Sequence, residues 1–182
     1  MPKLYLVRHG QARAAWSQDL DPGLNELGRE QALQAARSLA SLSSLDILSS
    51  PLARARETAQ PLAEVWKKTP RLEARVGEIP SSHLNLSERG PWLLQVMAQK
   101  WPDLIPELQA WRAGVLQALA ELQADTVIFT HFIAINAAVG TATQDDRVVS
   151  FWPGNGSITK LAQQGYKLTL IELGTQAQTR VG

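Results

Sequence analysis

Apolar residues fall along this chain in two alternating rhythms, short continuous runs and stretches at three- and four-residue intervals, so strands and helices are expected in turn. The first run, Leu4 to Val7, stops abruptly at Arg8, His9 and Gly10, the pattern of a buried strand that ends in a turn. A polar, irregular loop follows over residues 12–23 and closes in the turn signal Asp21-Pro22-Gly23. Asn25 is the expected N-cap of a helix over residues 26–42, with Leu27, Ala35, Leu39 and Leu42 at helical spacing and Arg29 and Glu30 outward. Residues 45–48 are too few for a helix and read as a second strand. Ser50 then reads as a cap and Pro51 as a first-turn residue of a helix running to residue 67, which Thr69-Pro70 closes.

Residues 71–76 alternate charged and apolar side chains and are expected as a short edge strand, followed by a loop over 77–86. Ser87 and Glu88 open a third helix carrying Trp92, Leu93, Val96 and Met97, which Trp101-Pro102 ends. Within residues 105–122, Leu108, Trp111, Val115, Leu119 and Leu122 recur at helical intervals, giving an amphipathic helix in which tryptophan anchors the core. Val127, Ile128 and Phe129 mark a second clearly buried strand over 125–130, ending at His131 ahead of a small-residue helix over 134–140. Residues 148–151 are expected as a further strand, 157–162 and 166–173 as a hairpin about Gln163-Gln164-Gly165, and the polar 174–182 as a frayed tail. This alternation implies an α/β chain, a three-layer α/β/α sandwich on a mostly parallel mixed sheet, with the late hairpin adding an antiparallel strand.

Composition narrows the function. The 182 residues, 45% of them hydrophobic, suffice for one core, so residues 1–182 are expected to form one domain. A net charge of +1, from 18 basic and 17 acidic side chains, provides no overall attraction to nucleic acid or an anionic membrane, so any anion selectivity must be local. The absence of cysteine removes disulfides, thiolate metal ligands and a thiol nucleophile. The first residues lack a signal pattern and no run approaches the ~20 apolar residues of a membrane span, so a soluble, cytoplasmic protein is expected.

Three strand-to-helix junctions carry the same kind of group: Arg8 and His9 after the first strand, Arg54 after the second, and His131 after the Val127 strand. In a mostly parallel sheet these junctions share one edge, where helix N-termini add partial positive charge and free N–H groups. The sum is a pocket for a phosphate, whose oxygens suit the planar fork of arginine. Arg54 and Arg56 point roughly 200° apart on one helix, so only one faces the pocket, and periodicity leaves the choice open. Glu57, three residues after Arg54, is the expected ion-pair partner of Arg54. Gly10 is expected to permit a close approach of backbone to ligand, or a positive φ.

Arg8-His9-Gly10-Gln11, the segment Ser50-Pro51-Leu52-Ala53-Arg54-Ala55-Arg56-Glu57-Thr58-Ala59, and Val127-Ile128-Phe129-Thr130-His131 together resemble the histidine phosphatase superfamily, the phosphoglycerate mutase-like fold. Residues 24–32 and 155–158 are similar to further family segments, and the likeness covers most of the chain in order. The resemblance implies that His9 attacks phosphorus to give a phosphohistidine that water hydrolyses, with the imidazole neutral and its far nitrogen held by a hydrogen bond. It also implies that Arg8, Arg54 and His131 stabilise the phosphoryl oxygens, with no metal or other cofactor. The family's Leu-x-Glu-Ile segment is matched by Gly77-Glu78-Ile79, which makes Glu78 the implied proton donor, protonated as the leaving oxygen departs. The other reading of Glu78 is a loop carboxylate paired to an arginine.

Gly10, Gln11, Phe132 and His83 are the expected substrate-side residues, His83 being otherwise an exposed loop residue. The chain departs from many members at Ala12 and Ala15, where they carry Thr and Asn, at Phe132, where they carry Gly, and at Pro80-Ser81. These changes leave the phosphate pocket intact but carry over no sugar-phosphate or phosphoglycerate specificity; Phe132 narrows the pocket or offers a face to a ring-bearing substrate. The chain is short for a mutase, so hydrolysis is expected. The resemblance thus implies a cofactor-independent, histidine acid phosphatase-type phosphomonoesterase acting on a small phosphorylated substrate, without nucleic acid or membrane partners and with its oligomeric state open. The competing readings are a non-catalytic phospholigand-binding domain, motivated by the altered loop, and a protein phosphohistidine phosphatase with an open, shallow pocket.

Overall fold

Strands that are apolar on both faces need cover on both faces, and the chain supplies it from two sides. The computed structural model describes residues 1–15, 17–81 and 83–177. In chain order its elements are β1 (Lys3–Arg8), α1 (Glu26–Ala40), β2 (Asp46–Ser49), α2 (Ala53–Trp66), β3 (Arg71–Leu72), α3 (Leu86–Met97), α4 (Pro106–Ala120), β4 (Thr126–Thr130), α5 (Phe132–Thr143), β5 (Ile158–Gln164) and β6 (Lys167–Glu172). The sheet runs β3-β2-β4-β1-β5-β6. β1, β4, β2 and β3 pair in parallel, while the β5–β6 hairpin joins β1 antiparallel. Alternation along β1 divides the core: Leu4 and Leu6 pack with Leu48 and Ile128 under α4 and α5, and Tyr5 and Val7 with Ile47 and Phe129 under α1 and α2. The result is the expected three-layer sandwich on a mostly parallel mixed sheet. A further cluster, with Ile79, Val96, Trp101, Leu108, Phe132 and Val148, attaches α3 beyond the sheet edge. No helix among the described residues is long and apolar enough to cross a membrane.

Several local expectations give way to tertiary partners. Asn25 caps α1 by accepting from Gly28 N at 2.8 Å, as its type predicts, but Leu27 is exposed because the buried face runs through Gly28, Ala32, Ala35, Ala36 and Leu39. α2 begins at Ala53, later than Ser50-Pro51 implies, because Ala53 N finds its acceptor on Asp21 Oδ1 of the 12–23 loop at 2.8 Å. The edge strand shrinks to Arg71–Leu72, since Glu73 caps a 3-10 turn at Ala74–Val76. Residues 148–151 form no strand: Asn136 Oδ1 accepts from Ser150 N and Phe151 N, which replaces a partner strand. The tail does not fray through residue 177, because Gly154 N donates to Thr175 O and Ala177 N to Trp152 O; residues 178–182 lie outside the described part. Trp101 is a core anchor as expected, whereas Trp66, Trp92, Trp111 and Trp152 are half-buried and Trp16 is outside the described residues.

The contact that sets the site is between two glycines. A Cβ on Gly10 would meet Gly28 O, and one on Gly28 would meet Gln11 O, so the turn after β1 lies directly on the first turn of α1. Gly10 does not have a positive φ, and its missing side chain serves this backbone packing. Since both obstacles are backbone, Gly28→Ala is expected to lower stability by about 1–3 kcal/mol. A denaturant midpoint equal to that of wild type would show that the turn can slide away.

Candidate active site

Register brings the chemistry together. Arg8 on β1 lies beside Thr130 on β4, so His9 and His131 leave adjacent parallel strands at the same height, and Ser49 of β2 lies beside Phe129. The His9 and His131 rings stand 5.2 Å apart between centroids. The first turn of α2 brings in Arg54, 3% exposed, while Arg56 points outward, which settles the choice that periodicity left open. Arg54 Nε donates to His9 Nε2 at 3.2 Å, and Arg54 Nη2 lies 3.1 Å from Glu78 Oε2. The expected Arg54–Glu57 pair does not form: Glu57 faces the 12–23 loop, where its Oε2 accepts from Leu24 N at 2.7 Å.

The turn that presents His9 is held one peptide at a time. Arg8 O accepts from Gly156 N and His9 N donates to Thr130 O. His9 O accepts from Asn155 Nδ2 at 3.0 Å and Gly10 N donates to Thr58 Oγ1 at 2.9 Å. Gln11 N donates to Gln31 Oε1 at 2.8 Å, and Gly10 O accepts from His9 Nδ1 at 2.7 Å. A carbonyl can only accept, so Nδ1 carries the proton and Nε2 keeps its lone pair, which agrees with the donation it receives from Arg54. Burial first, then His131, Arg54 and Arg8, holds the His9 pKa well below the ordinary histidine value of 6.5, so the ring is neutral at pH 7.

Opposite His9, His131 is fully buried at the start of α5, its Nε2 2.8 Å from Ser50 Oγ and its Nδ1 3.5 Å from Glu78 Oε2. Burial, then Arg54 and Arg8, keeps it neutral as well. Glu78 is held in place by its own segment: its Oε1 accepts from Ile79 N, Ile79 is buried, and Thr130 Oγ1 donates to Val76 O just upstream. Glu78 is therefore paired to an arginine, and the same carboxyl oxygen approaches His131.

Arg8 is fixed from outside the phosphate side. Its Nη1 donates to Pro153 O at 2.8 Å and its guanidinium lies 5.1 Å over the Phe132 ring, whose other neighbour is Trp152 at 5.2 Å. Phe132 thus gives one face to Arg8. Burial lowers the Arg8 pKa to about 10, with Glu78 opposing and Arg54 assisting, so it stays cationic at neutral pH. Arg8 Nε, Arg54 Nη1 and His131 Nδ1 are buried without a hydrogen-bond partner among the described residues. Buried donors with no acceptor are costly, and an anion carrying several oxygens would satisfy them.

Gln11 is exposed and its Oε1 accepts from Asn25 Nδ2, so it braces the loop at the rim; Gly10 spends its N–H on Thr58. His83 is exposed, with its ring edge-on to Trp92 at 6.0 Å. A residue that the sequence reading passed over is Arg89 of α3, which is buried, donates to Ser81 Oγ at 2.8 Å, and is close enough to Glu78 and Arg54 to feel both charges. It shares a helix face with Trp92, Leu93 and Val96, and a cation on an apolar stripe is the signal that would have found it. Three guanidinium groups therefore surround one carboxylate and two neutral imidazoles, an excess of positive charge suited to a dianion.

Comparisons with known proteins place the chain in a family. The sequence model of the histidine phosphatase superfamily (branch 1) matches residues 4–176. A glucosyl-3-phosphoglycerate phosphatase of Mycobacterium tuberculosis (strain CDC 1551 / Oshkosh) is 31% identical over 177 residues, covering 91% of this chain and 76% of the relative. Among solved structures, the mycobacterial glucosyl-3-phosphoglycerate phosphatase superposes with a TM-score of 0.74 at 23% identity, covering 97% of this chain and 100% of the other. Phosphoserine phosphatase from Entamoeba histolytica, in complex with 3-phosphoglyceric acid, superposes with a TM-score of 0.73 at 20% identity, covering 97% and 98%. With two imidazoles facing each other among arginines at the sheet edge and a family match spanning nearly its whole length, this chain belongs to the histidine phosphatase superfamily, branch 1.

Proposed function

We propose that the chain hydrolyses phosphomonoesters in two steps through a phosphohistidine on His9. The observation that carries this is the unprotonated His9 Nε2, with its proton held on Nδ1 by Gly10 O, set among buried guanidinium N–H groups. In the first step the Nε2 lone pair attacks phosphorus, the bond from phosphorus to the ester oxygen breaks, and the leaving oxygen takes a proton from the Glu78 carboxyl. Gly10 O then stabilises the cationic phosphoimidazolium through the Nδ1 proton. In the second step water attacks phosphorus while Glu78 takes its proton, and the P–N bond returns its electron pair to Nε2. Arg8, Arg54 and His131 Nδ1 hold the equatorial oxygens in both steps, and Arg54 Nε shifts from His9 Nε2 to a phosphoryl oxygen as the lone pair is used. The relatives' names support a small phosphorylated metabolite as substrate.

The test is phosphate release from an aryl phosphate with chelator present, combined with denaturing quench of the protein during turnover. Label bound to histidine, stable to alkali and lost in acid, is expected; turnover without it would replace the covalent route by direct attack of water.

The pH dependence follows from the two buried groups. The acid limb of kcat/KM is expected well below 6.5, where His9 finally takes a proton. For stability the sign is set by the unfolded chain. Above 6.5 the imidazoles are neutral in both states, and below it the unfolded chain binds protons that buried His9 and His131 refuse, so stability falls as pH drops through 6.5. The slope is on the order of 1 kcal/mol per pH unit for each histidine. Urea midpoints measured from pH 7 downward check this, and a midpoint that stays level would mean that the folded state accepts the protons.

A further inference from the structure

Four hydrogen bonds form a closed ring that begins and ends on Arg54. Thr58 Oγ1 donates to Arg54 O at 2.6 Å, one helical turn back, which leaves its lone pairs free to accept Gly10 N–H at 2.9 Å. Gly10 O accepts from His9 Nδ1 at 2.7 Å, and His9 Nε2 accepts from Arg54 Nε at 3.2 Å. We propose that Thr58 is a positioning residue for the nucleophile: its hydroxyl ties the β1 turn to α2 and so keeps the His9 proton on Nδ1, with Nε2 facing the phosphate pocket. The inference rests on the reading of His9 as nucleophile, but the ring itself can be tested without turnover.

Thr58 is the member of the ring that nothing else can replace. It is fully buried, so water cannot take over its bond to Gly10 N, whereas Gln31, which holds the next peptide, is only half-buried. Without the hydroxyl, the Gly10 N–H is left without an acceptor in a dry site, and the peptide joining His9 to Gly10 must turn to find one. The same peptide carries His9 O, held by Asn155 Nδ2, and it leads directly into the Gly10 carbonyl that selects the tautomer. A turn of that peptide therefore moves the acceptor away from Nδ1. Either tautomer then becomes accessible, and in one of them Nε2 carries the proton and has no lone pair to attack with.

The experiment compares Thr58→Val, which keeps the shape and removes the hydroxyl, with Thr58→Ser, which keeps the hydroxyl and removes a methyl. The chain has only three histidines, so 15N-histidine NMR reads their tautomers directly, with His83→Asn identifying one set of signals. The expected result is an Nδ1–H signature for His9 in wild type and Thr58→Ser, and its loss in Thr58→Val. On an aryl phosphate, Thr58→Val is expected to lower kcat by about 10²-fold, the scale of a misplaced reacting group, with KM little changed and Thr58→Ser close to wild type. An unchanged tautomer and kcat in Thr58→Val would overturn the proposal. So would an equal loss in Thr58→Ser, which would trace the effect to the packing of the methyl group. Thr58→Ala gives the same tautomer readout if the valine variant does not fold. If the wild type hydrolyses no phosphate ester, the functional reading fails while the NMR comparison still decides the ring.

Discussion

His9→Ala is expected to abolish phosphate release from an aryl phosphate while leaving phosphate binding measurable. No neighbour can take over the attack. His131, the other imidazole of the pocket, has its Nε2 committed to Ser50 Oγ at 2.8 Å and its Nδ1 turned toward Glu78, and it sits on the far side of a 5.2 Å ring separation. Removing a covalent nucleophile typically costs on the order of 10⁴ to 10⁶ in rate. Arg8 and the N–H groups of Arg54 remain, so inorganic phosphate still has its donors, and calorimetry should register binding to the inactive variant. Turnover within tenfold of wild type would overturn the covalent route and leave water as the attacking group.

Arg54→Met separates catalysis from stability. It removes the donor to His9 Nε2, the partner of Glu78 and a buried N–H that has no acceptor among the described residues, so kcat/KM is expected to fall about 10²- to 10³-fold. Breaking a fully buried ion pair from one side costs about 3–5 kcal/mol. The cost here is expected to be smaller, because Glu78 keeps partial access to solvent and Arg8 and Arg89 no longer repel a third guanidinium. Arg56→Met, two residues along the same helix on its exposed side, is expected to change neither quantity. Equal loss in both variants would mean that a general basic field, and not the Arg54 geometry, holds the substrate.

The parts of the molecule written in local pattern were legible before the structure. Parallel strands buried on both faces read as unbroken apolar runs, so Val7 and Phe129 announce β1 and β4, and the charged residues that end those runs announce the site edge. What local pattern cannot express is a partner far away in the chain. Spacing pairs Glu57 with Arg54, yet Gly23 and Leu24 approach Glu57 from the loop and Glu78 approaches Arg54 from beyond β3. Ser50 has the residue type of a helix cap, and the hydroxyl also faces His131 because β4 lies next to β2. Residues 148–151 are apolar enough for a strand, but the Asn136 side chain accepts the N–H groups of Ser150 and Phe151 and the Gln99 carbonyl accepts that of Val148, which keeps them out of the sheet.

The placement of β1 has a consequence for how the molecule comes into being. Leu4 pairs with Thr126 on one side and Val7 with Ile158 on the other, so during synthesis the first strand waits for most of the chain before either neighbour exists. Closing contacts of such long separation is slow, and until then β1 exposes two unpaired edges and the Arg8-His9 tip has no pocket. β2 and α2 follow each other directly and can dock early, whereas the Arg8-His9 tip, made first, is built into its surroundings last. Nascent chains stalled before β5 are therefore incomplete at the one place where the chemistry happens, and their apolar first strand is what a chaperone would find.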